Sequence, residues 1–456
     1  MSRFSTFAMA AAFAVALAAP LSAQTYDDAR AAYDAGDFAR AAELVMPLAE
    51  AGDAAAMNML GLMYDDGLGG LPVDPVRALD LYTRSADAGF TGAMNNLARV
   101  YHYGFLGQEV DVARARQLYE RAIEGGSEFA MNNFALMQEE GLLGTPDWAS
   151  IIDLYARAAN LGEPSAAANL ANVFLNGRDG VPENPSLARQ WAESSVSVGS
   201  PRGMRMLGYM LEFSIGGPED VPRAEALYRE AWDLGDVAAA NDMGLLFNYG
   251  ATGVPVDFEQ AVEWYERGIA AGDEWSHVNL ADLLADGDPG VPDDPVRARR
   301  LYEVGHEMGN LDASVALSYL HWDGVGGPVD FDEARRLLTH AAEQNDYGAM
   351  NDLGVMLQQG LGGPVDISGA AHLYQQAAQG GHTLGAQNLA YILTDTTKSP
   401  VDPVEGVAWC HFSAEREDNP DTRDEYRLNC ADLAQNLSQD EQRAAISRSA
   451  ELLNTY

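Results

Sequence analysis

The sequence predicts an all-α chain, a right-handed α/α superhelical solenoid of about ten to eleven two-helix repeats. Three observations carry that expectation. Helix-stopping residues recur at Gly52, Gly89, Gly126, Gly162, Gly199, Gly235, Gly272, Gly309, Asn345 and Gly381, always 36 or 37 residues apart. Asn345 fits the series because Asn replaces Gly most readily in the left-handed C-cap conformation. Fifteen residues before each stop stands Asp37, Asp74, Asp111, Asp147, Asn184, Asp220, Asp257, Asp294, Asp330 or Asp366. All ten side chains can accept hydrogen bonds from the free N–H groups that open a helix. Between these marks two apolar pairs repeat, one on each helix, at the spacing of a buried helical stripe.

In chain order, the first 23 residues stand apart. Arg3 gives a minimal basic start, residues 8–19 form a short Ala-rich apolar core, and Pro20 to Ala23 supply a break and a small residue before Gln24. That pattern is a secretory signal peptide cut after Ala23. Residues 24–55 read as a partial first repeat and residues 56–414 as the array, with Asp402-Pro403 opening a further copy. Residues 415–456 read as closing helices, with Ser438 and Glu441 at capping-box spacing. No other stretch approaches the 18 apolar residues of a spanning helix, so no membrane insertion is expected.

Each repeat should hold a helix A and a helix B, near Ala93–Tyr103 and Val112–Glu124 in one copy. Helix A carries a large-small pair such as Leu60-Gly61, Leu97-Ala98 or Leu353-Gly354. The small member lets helix B approach closely. Helix B carries Leu-Tyr or Trp-Tyr, as at Leu81-Tyr82, Trp264-Tyr265 and Leu373-Tyr374, an aromatic stripe that should be core. Glycines in the A–B loops, such as Gly67, Gly69 and Gly70, permit positive φ in a compact turn.

The run from Leu60 to Gly89, LG-x-MY-x-x-GLGG-x-x-VD-x-x-RAL-x-LY-x-RSA-x-AG, resembles a Sel1-like repeat. That family resembles the tetratricopeptide repeat, with a longer A–B loop. The resemblance covers nearly the whole chain after residue 35. It implies a scaffold for protein–protein interaction whose A helices line a concave groove, the usual ligand face of such arrays. Some cysteine-rich relatives carry a disulfide in every repeat and have been linked to penicillin or β-lactam chemistry. This chain lacks that cysteine pattern, so the resemblance carries the fold over and not that activity.

The composition narrows the partners. With 68 acidic and 28 basic residues the net charge is −40. Such a chain repels phosphate backbones, so nucleic acid is excluded and a basic or neutral protein or peptide is favoured. Much of the excess acid serves as helix caps.

Nothing in the pattern marks a catalytic or metal centre. The eight histidines are scattered, HExxH and GxSxG are missing, and the glycine loops lack the lysine of a phosphate cradle. No catalytic residue, metal ligand or cofactor is expected. Cys410 and Cys430 either close a disulfide across the C-terminal cap, as an oxidising compartment would allow, or remain two buried thiols.

The candidate ligand residues are an asparagine row in helix A: Asn96, Asn133, Asn169, Asp242, Asn279, Asp352 and Asn388. An amide offers donor and acceptor together, so each could grip an extended peptide, as in tetratricopeptide-like domains, or bond to a neighbouring helix and fix repeat stacking. Few cations accompany the row, Arg99 and Arg205 being exceptions. The sequence therefore points to an exported, non-enzymatic adaptor in the periplasm or outside the cell. The alternative is an envelope enzyme or accessory acting on peptidoglycan-like or β-lactam-like substrates.

Overall fold

The computed structural model describes residues 25–287, 291–397 and 401–456; the expected signal peptide lies outside them. The described residues form twenty-four α-helices, in two compact units that divide between Glu219 and Asp220.

The first unit holds α1 (Tyr26–Asp34), α2 (Phe38–Glu50), α3 (Ala54–Asp66), α4 (Pro75–Asp87), α5 (Thr91–Tyr103) and α6 (Val112–Glu124). It continues with α7 (Glu128–Glu139), α8 (Trp148–Asn160), α9 (Pro164–Asn176), α10 (Pro185–Ser197) and α11 (Pro201–Glu212). Odd-numbered helices are the A helices. In this unit α1, α3, α5, α7 and α9 each pack on the B helix that follows, and α3, α5 and α9 also on the A helix of the next copy.

The second unit holds α12 (Val221–Asp233), α13 (Ala238–Tyr249), α14 (Phe258–Ala271), α15 (Glu274–Asp286), α16 (Pro295–Glu307) and α17 (Leu311–Asp323). Next come α18 (Phe331–Glu343), α19 (Tyr347–Gln359), α20 (Ile367–Gln379), α21 (Thr383–Thr394) and α22 (Pro403–Arg416). The last two helices, α23 (Pro420–Ala434) and α24 (Gln439–Thr455), both pack on α22.

The local chemistry explains the period. Every B helix from α2 to α22 opens on the Asp or Asn read from the sequence, whose carboxylate or amide oxygen accepts a first-turn N–H; Arg77 donates to Asp74 at 3.0 Å. Each of the ten stop residues has positive φ, including Asn345 at +67°. One boundary differs from expectation. Helix α5 begins at Thr91, because Phe90 rather than a later residue takes the extended N-cap conformation. Helix α1 ends at Asp34, since Gly36 is left-handed and Asp37 then caps a new helix at Phe38.

The small-residue positions act as read. A Cβ on Gly61, Gly244 or Gly354 would lie 2.8, 2.3 or 2.6 Å from the ring of Tyr82, Tyr265 or Tyr374, so helix B sits on the bare backbone of helix A. Those tyrosines are fully buried, and the hydroxyls of Tyr82 and Tyr374 reach back to the end of helix A. Tyr155 donates to Glu139 at 2.8 Å and Tyr374 to Gln358 at 3.0 Å. The A–B loops add a contact the sequence did not reveal. Gly69 has φ +67°, and its missing Cβ would fall 2.4 Å from the carbonyl oxygen of Phe38, at the start of the preceding B helix. Gly362 repeats this against Phe331 at 2.3 Å. At the C-terminus α24 lays Ala445 and Leu452 against the Trp409 and Phe412 cluster, and Arg448 binds Glu405 at 2.9 Å.

Candidate functional site

Two adjacent positions of helix A, rather than one, build the site. In the first unit they are Asn95-Asn96 on α5 and Asn132-Asn133 on α7, flanked by Asn58 on α3 and Asn169 on α9. Helical geometry turns the first of each pair toward the following repeat and the second toward the preceding one. The amides join end to end. Asn169 Nδ2 donates to Asn132 Oδ1 at 2.9 Å, and Asn132 donates within its own helix to Asn133 at 3.3 Å. Asn133 then donates to Asn95 at 2.9 Å, Asn95 to Asn96 at 3.4 Å, and Asn96 to Asn58 at 2.9 Å.

The chain of amides has a direction, and Arg202 on α11 sets it. Its guanidinium donates to Asn169 Oδ1 at 2.9 Å. A guanidinium can only donate, so that oxygen must be the acceptor and every later amide falls into the same order. Each bridging oxygen is thereby engaged. Asn96 and Asn133, both half-buried, retain a second N–H on the nitrogen that makes the bond.

These two residues line an open groove of about 750 Å³ bordered by α1, α3, α5, α7 and the start of α9. Tyr103, Phe105 and Phe129 supply its aromatic surface, with Phe105 49% and Phe129 50% exposed. Tyr103 lies 5.3 Å from Phe105, ring centre to ring centre. Arg30 is paired with Asp34 at 3.6 Å. Glu163 is buried and caps α9 through the Ala166 N–H at 2.5 Å; burial pushes its pKa up. Arg99 is exposed, lines the groove and makes no ion pair among the described residues. Asp65, which feels its field, accepts instead from the Tyr82 hydroxyl at 3.3 Å.

The remaining candidates divide by unit. Asn169 is buried inside the amide chain. In the second unit Asn279 donates to Asn241 at 2.6 Å and Asn388 to Asn351 at 2.8 Å, repeating the rung. Asp352 stands where the preceding A helix offers Val315 in place of an asparagine. It accepts instead from the Tyr319 hydroxyl at 2.5 Å and from Asn351 at 3.0 Å. Asp242 and Arg205 are half-buried and engaged. Sequence reading missed Asn58, Asn95, Asn132, Asn241 and Asn351, although the Asn-Asn doublet was visible, and it missed Arg202 and the groove aromatics.

Two further features bear on chemistry. His102 places Nε2 2.8 Å from Glu140 and Nδ1 3.3 Å from the Tyr119 hydroxyl. The imidazole is fully enclosed, and burial drives the phenol pKa far up, so this triad ties α5, α6 and α7 together rather than presenting a nucleophile. Cys410 and Cys430 are joined by a disulfide, with Cα atoms 5.5 Å apart, between α22 and α23.

Comparison with known proteins matches this architecture. A protective antigen of uropathogenic Escherichia coli displaying an SLR fold is 25% identical, with a TM-score of 0.54 over 95% of this chain and 92% of that one. A Sel1 repeat protein from Oxalobacter formigenes is 27% identical over 54% of this chain and 100% of its own, with a TM-score of 0.48. An uncharacterized protein of Neisseria meningitidis is 32% identical over 94 residues, and chitin synthase regulatory factor 3 of Schizosaccharomyces pombe is 25% identical over 140. Those stretches cover 21% and 30% of this chain but only 20% and 15% of the two relatives, so the chain matches a fifth or less of each. The Sel1 repeat profile matches residues 54–90, 91–127, 164–200, 201–236, 237–273, 276–310, 311–346 and 348–382. Helices α7 and α8 occupy the interval at 128–163 in the same register. With more than half its length matched and this helix order, the chain belongs to the Sel1 repeat family, whose fold suits protein–protein interaction.

Proposed function

We propose that this chain is an exported, non-enzymatic adaptor that holds a segment of another protein in the groove of its first unit. The observation that carries the reading is the groove itself: exposed aromatics, spare amide donors and Arg99 on a frame held rigid by the amide chain. Exposed aromatic surface beside polar groups of fixed orientation is the makeup of a recognition surface. The regulatory role in the name of the Schizosaccharomyces relative supports an adaptor over an enzyme. The disulfide and the signal-like first 23 residues support export into an oxidising compartment. A net charge of −40 favours a partner that is basic overall, through long-range attraction.

Photocrosslinking in the source cells tests this. Probes belong at Phe105 and Phe129, since replacing Asn133 or Asn169 would break the amide chain. Val76 on α4, 78% exposed, is the control. A discrete protein adduct from the groove probes alone is expected. Equal labelling from Val76, or none from either groove position, would overturn the reading.

A further inference from the structure

The helix-A positions that line the first-unit groove continue through the second unit with different chemistry. Counted from the large residue of the large-small pair, they stand five before it, one before, two after and six after, as Phe129, Asn96, Arg99 and Tyr103 show. Steps of four, three and four keep them on one face of a helix. In the second unit these positions hold Trp275 on α15, Asp312, Tyr319 and Asp323 on α17, Asp352 on α19 and Tyr391 on α21. The rings are 42%, 44% and 44% exposed, and Asp312 and Asp323 are exposed as well. Tyr319 donates its hydroxyl to Asp352 at 2.5 Å, which pins the ring beside a carboxylate. Helices α13, α15, α17, α19 and α21 contain no lysine or arginine; every arginine of this unit stands on α12, α14, α16, α18 or the C-terminal helices α22, α23 and α24. Lys398 lies outside the described residues. The histidines of the A helices, His277 and His321, are buried against Asp273 and Arg299. The charges acting on Tyr319 are Asp352 and Asp346, and those on Tyr391 are Glu425 and Asp432, carboxylates in every case.

From this we infer that the A-helix face of the second unit is a docking surface for an extended, arginine-rich segment of a partner protein. The guanidinium groups lie over Trp275, Tyr319 and Tyr391 and pair with Asp312, Asp323 and Asp352. This surface is distinct from the first-unit groove and goes beyond the function proposed for it. Charge complementarity selects the occupant. Rings interleaved with carboxylates attract a cation twice, through the aromatic quadrupole and through full charge. An apolar segment would instead take those carboxylates out of water without a partner, and an acidic one would be repelled. Arginine fits better than lysine, because its planar, weakly hydrated head stacks on a ring while its edge still donates to a carboxylate. An extended segment fits the repeat as well. Neighbouring A helices about 9 Å apart match about three residues at ~3.3 Å each, so one side chain in three meets each repeat.

The test uses the full chain and a fluorescent, end-capped peptide of four Arg-Ser-Gly triplets, read by anisotropy at about 150 mM salt, which screens charges more than about 8 Å apart. Twin peptides replace arginine by lysine or by citrulline, its uncharged isostere. The arginine peptide should bind about fivefold tighter than the lysine peptide and at least about tenfold tighter than the citrulline peptide. Trp275→Leu with Tyr391→Leu leaves the net charge unchanged and should weaken binding about fivefold. Asp312→Asn with Asp323→Asn should weaken it similarly. Glu230→Gln with Glu259→Gln makes the same change of charge at exposed positions of α12 and α14 and should leave binding unaltered. Circular-dichroism melts check folding, and the exposed aspartates keep the test decisive if the aromatic variant unfolds. Equal binding of the three peptides, no binding, equal losses from the two acid pairs, or full binding by a folded aromatic variant would each overturn the inference. Crosslinks at Phe105 and Phe129 report on the first-unit groove alone, so the two proposals stand or fall separately.

Discussion

Arg202 donates to the side-chain oxygen of Asn169 across the α9–α11 contact at 2.9 Å, and that one bond orients six asparagine side chains from α9 back to α3. Of the two roles that sequence reading leaves to this residue type, ligand grip or stacking tie, the hydrogen bonds between repeats are those of the stacking tie; the grip belongs to the proposed function. The amide oxygens hold the repeats in register. The remaining N–H groups face the groove.

The interior of the amide chain should be its most sensitive point. Asn132 is buried, and Asn132→Ala leaves Asn169 Nδ2 and Asn133 Oδ1 without their partners. A loss of about 2 kcal/mol is expected, the usual consequence of stranding buried polar groups. Urea unfolding checks this. Asn133→Asp should also destabilise the first unit, because a carboxylate would face the oxygen of Asn95, whereas Asp352 is stable against the Tyr319 hydroxyl.

Glycine position within the A–B loop separates two effects. Gly70 has φ +81° and open space beyond it, so Gly70→Ala should cost about 1 kcal/mol from backbone conformation alone. Gly69→Ala places a methyl 2.4 Å from the Phe38 carbonyl as well, and should cost at least twice as much. Thermal unfolding of the two variants provides the comparison. Equal losses would mean the loop does not bear on the preceding helix.

Acid should loosen α21 before its neighbours. His382 caps this helix by accepting the Gly385 N–H on Nδ1 at 3.1 Å, which requires a neutral imidazole. Burial lowers its pKa, while Asp352 and Asp346 pull in the opposite direction. The folded state thus binds fewer protons than the unfolded one below the ordinary histidine value of about 6.5. The contribution is complete above that pH and is lost as pH falls through the lowered folded value. Hydrogen exchange across residues 383–394 should accelerate over that window. His382→Asp, which restores the side chain used at Asp53, Asp273 and Asp346, should suppress the effect.

The C-terminal helices should depend on the disulfide. Both sulfurs are buried, and the bridge closes a separation of 20 residues, for which a stabilisation of about 3 kcal/mol is expected. Dithiothreitol should lower the urea midpoint of the native chain and leave that of Cys430→Ser unchanged. Two free thiols in the unreduced, denatured protein would rule the bridge out.

The architecture was legible because its signals are local. Asp74, Gly89 and the Leu81-Tyr82 pair each act within one helix or one turn, and the period multiplies every such signal. Gly61 could be read as a close approach because its tyrosine partner recurs at fixed spacing. The site was only half legible. The Asn96 row was visible, but its partners lie a full repeat away, and the direction of the amide chain depends on Arg202, a single non-repeating residue. The groove aromatics Phe105 and Phe129 occupy positions that vary between copies, so no period exposes them.

The most direct measurement is a double-mutant cycle between Arg202 and Asn169, followed by urea unfolding with hydrogen exchange across residues 54–176. Arg202→Met and Asn169→Ala should each destabilise the first unit. Together they should fall short of the sum by about 1 kcal/mol, the coupling of a charge-assisted hydrogen bond that sets the order of the others. Additivity within about 0.3 kcal/mol, with unchanged exchange in α5 and α7, would show that Arg202 orients nothing beyond itself.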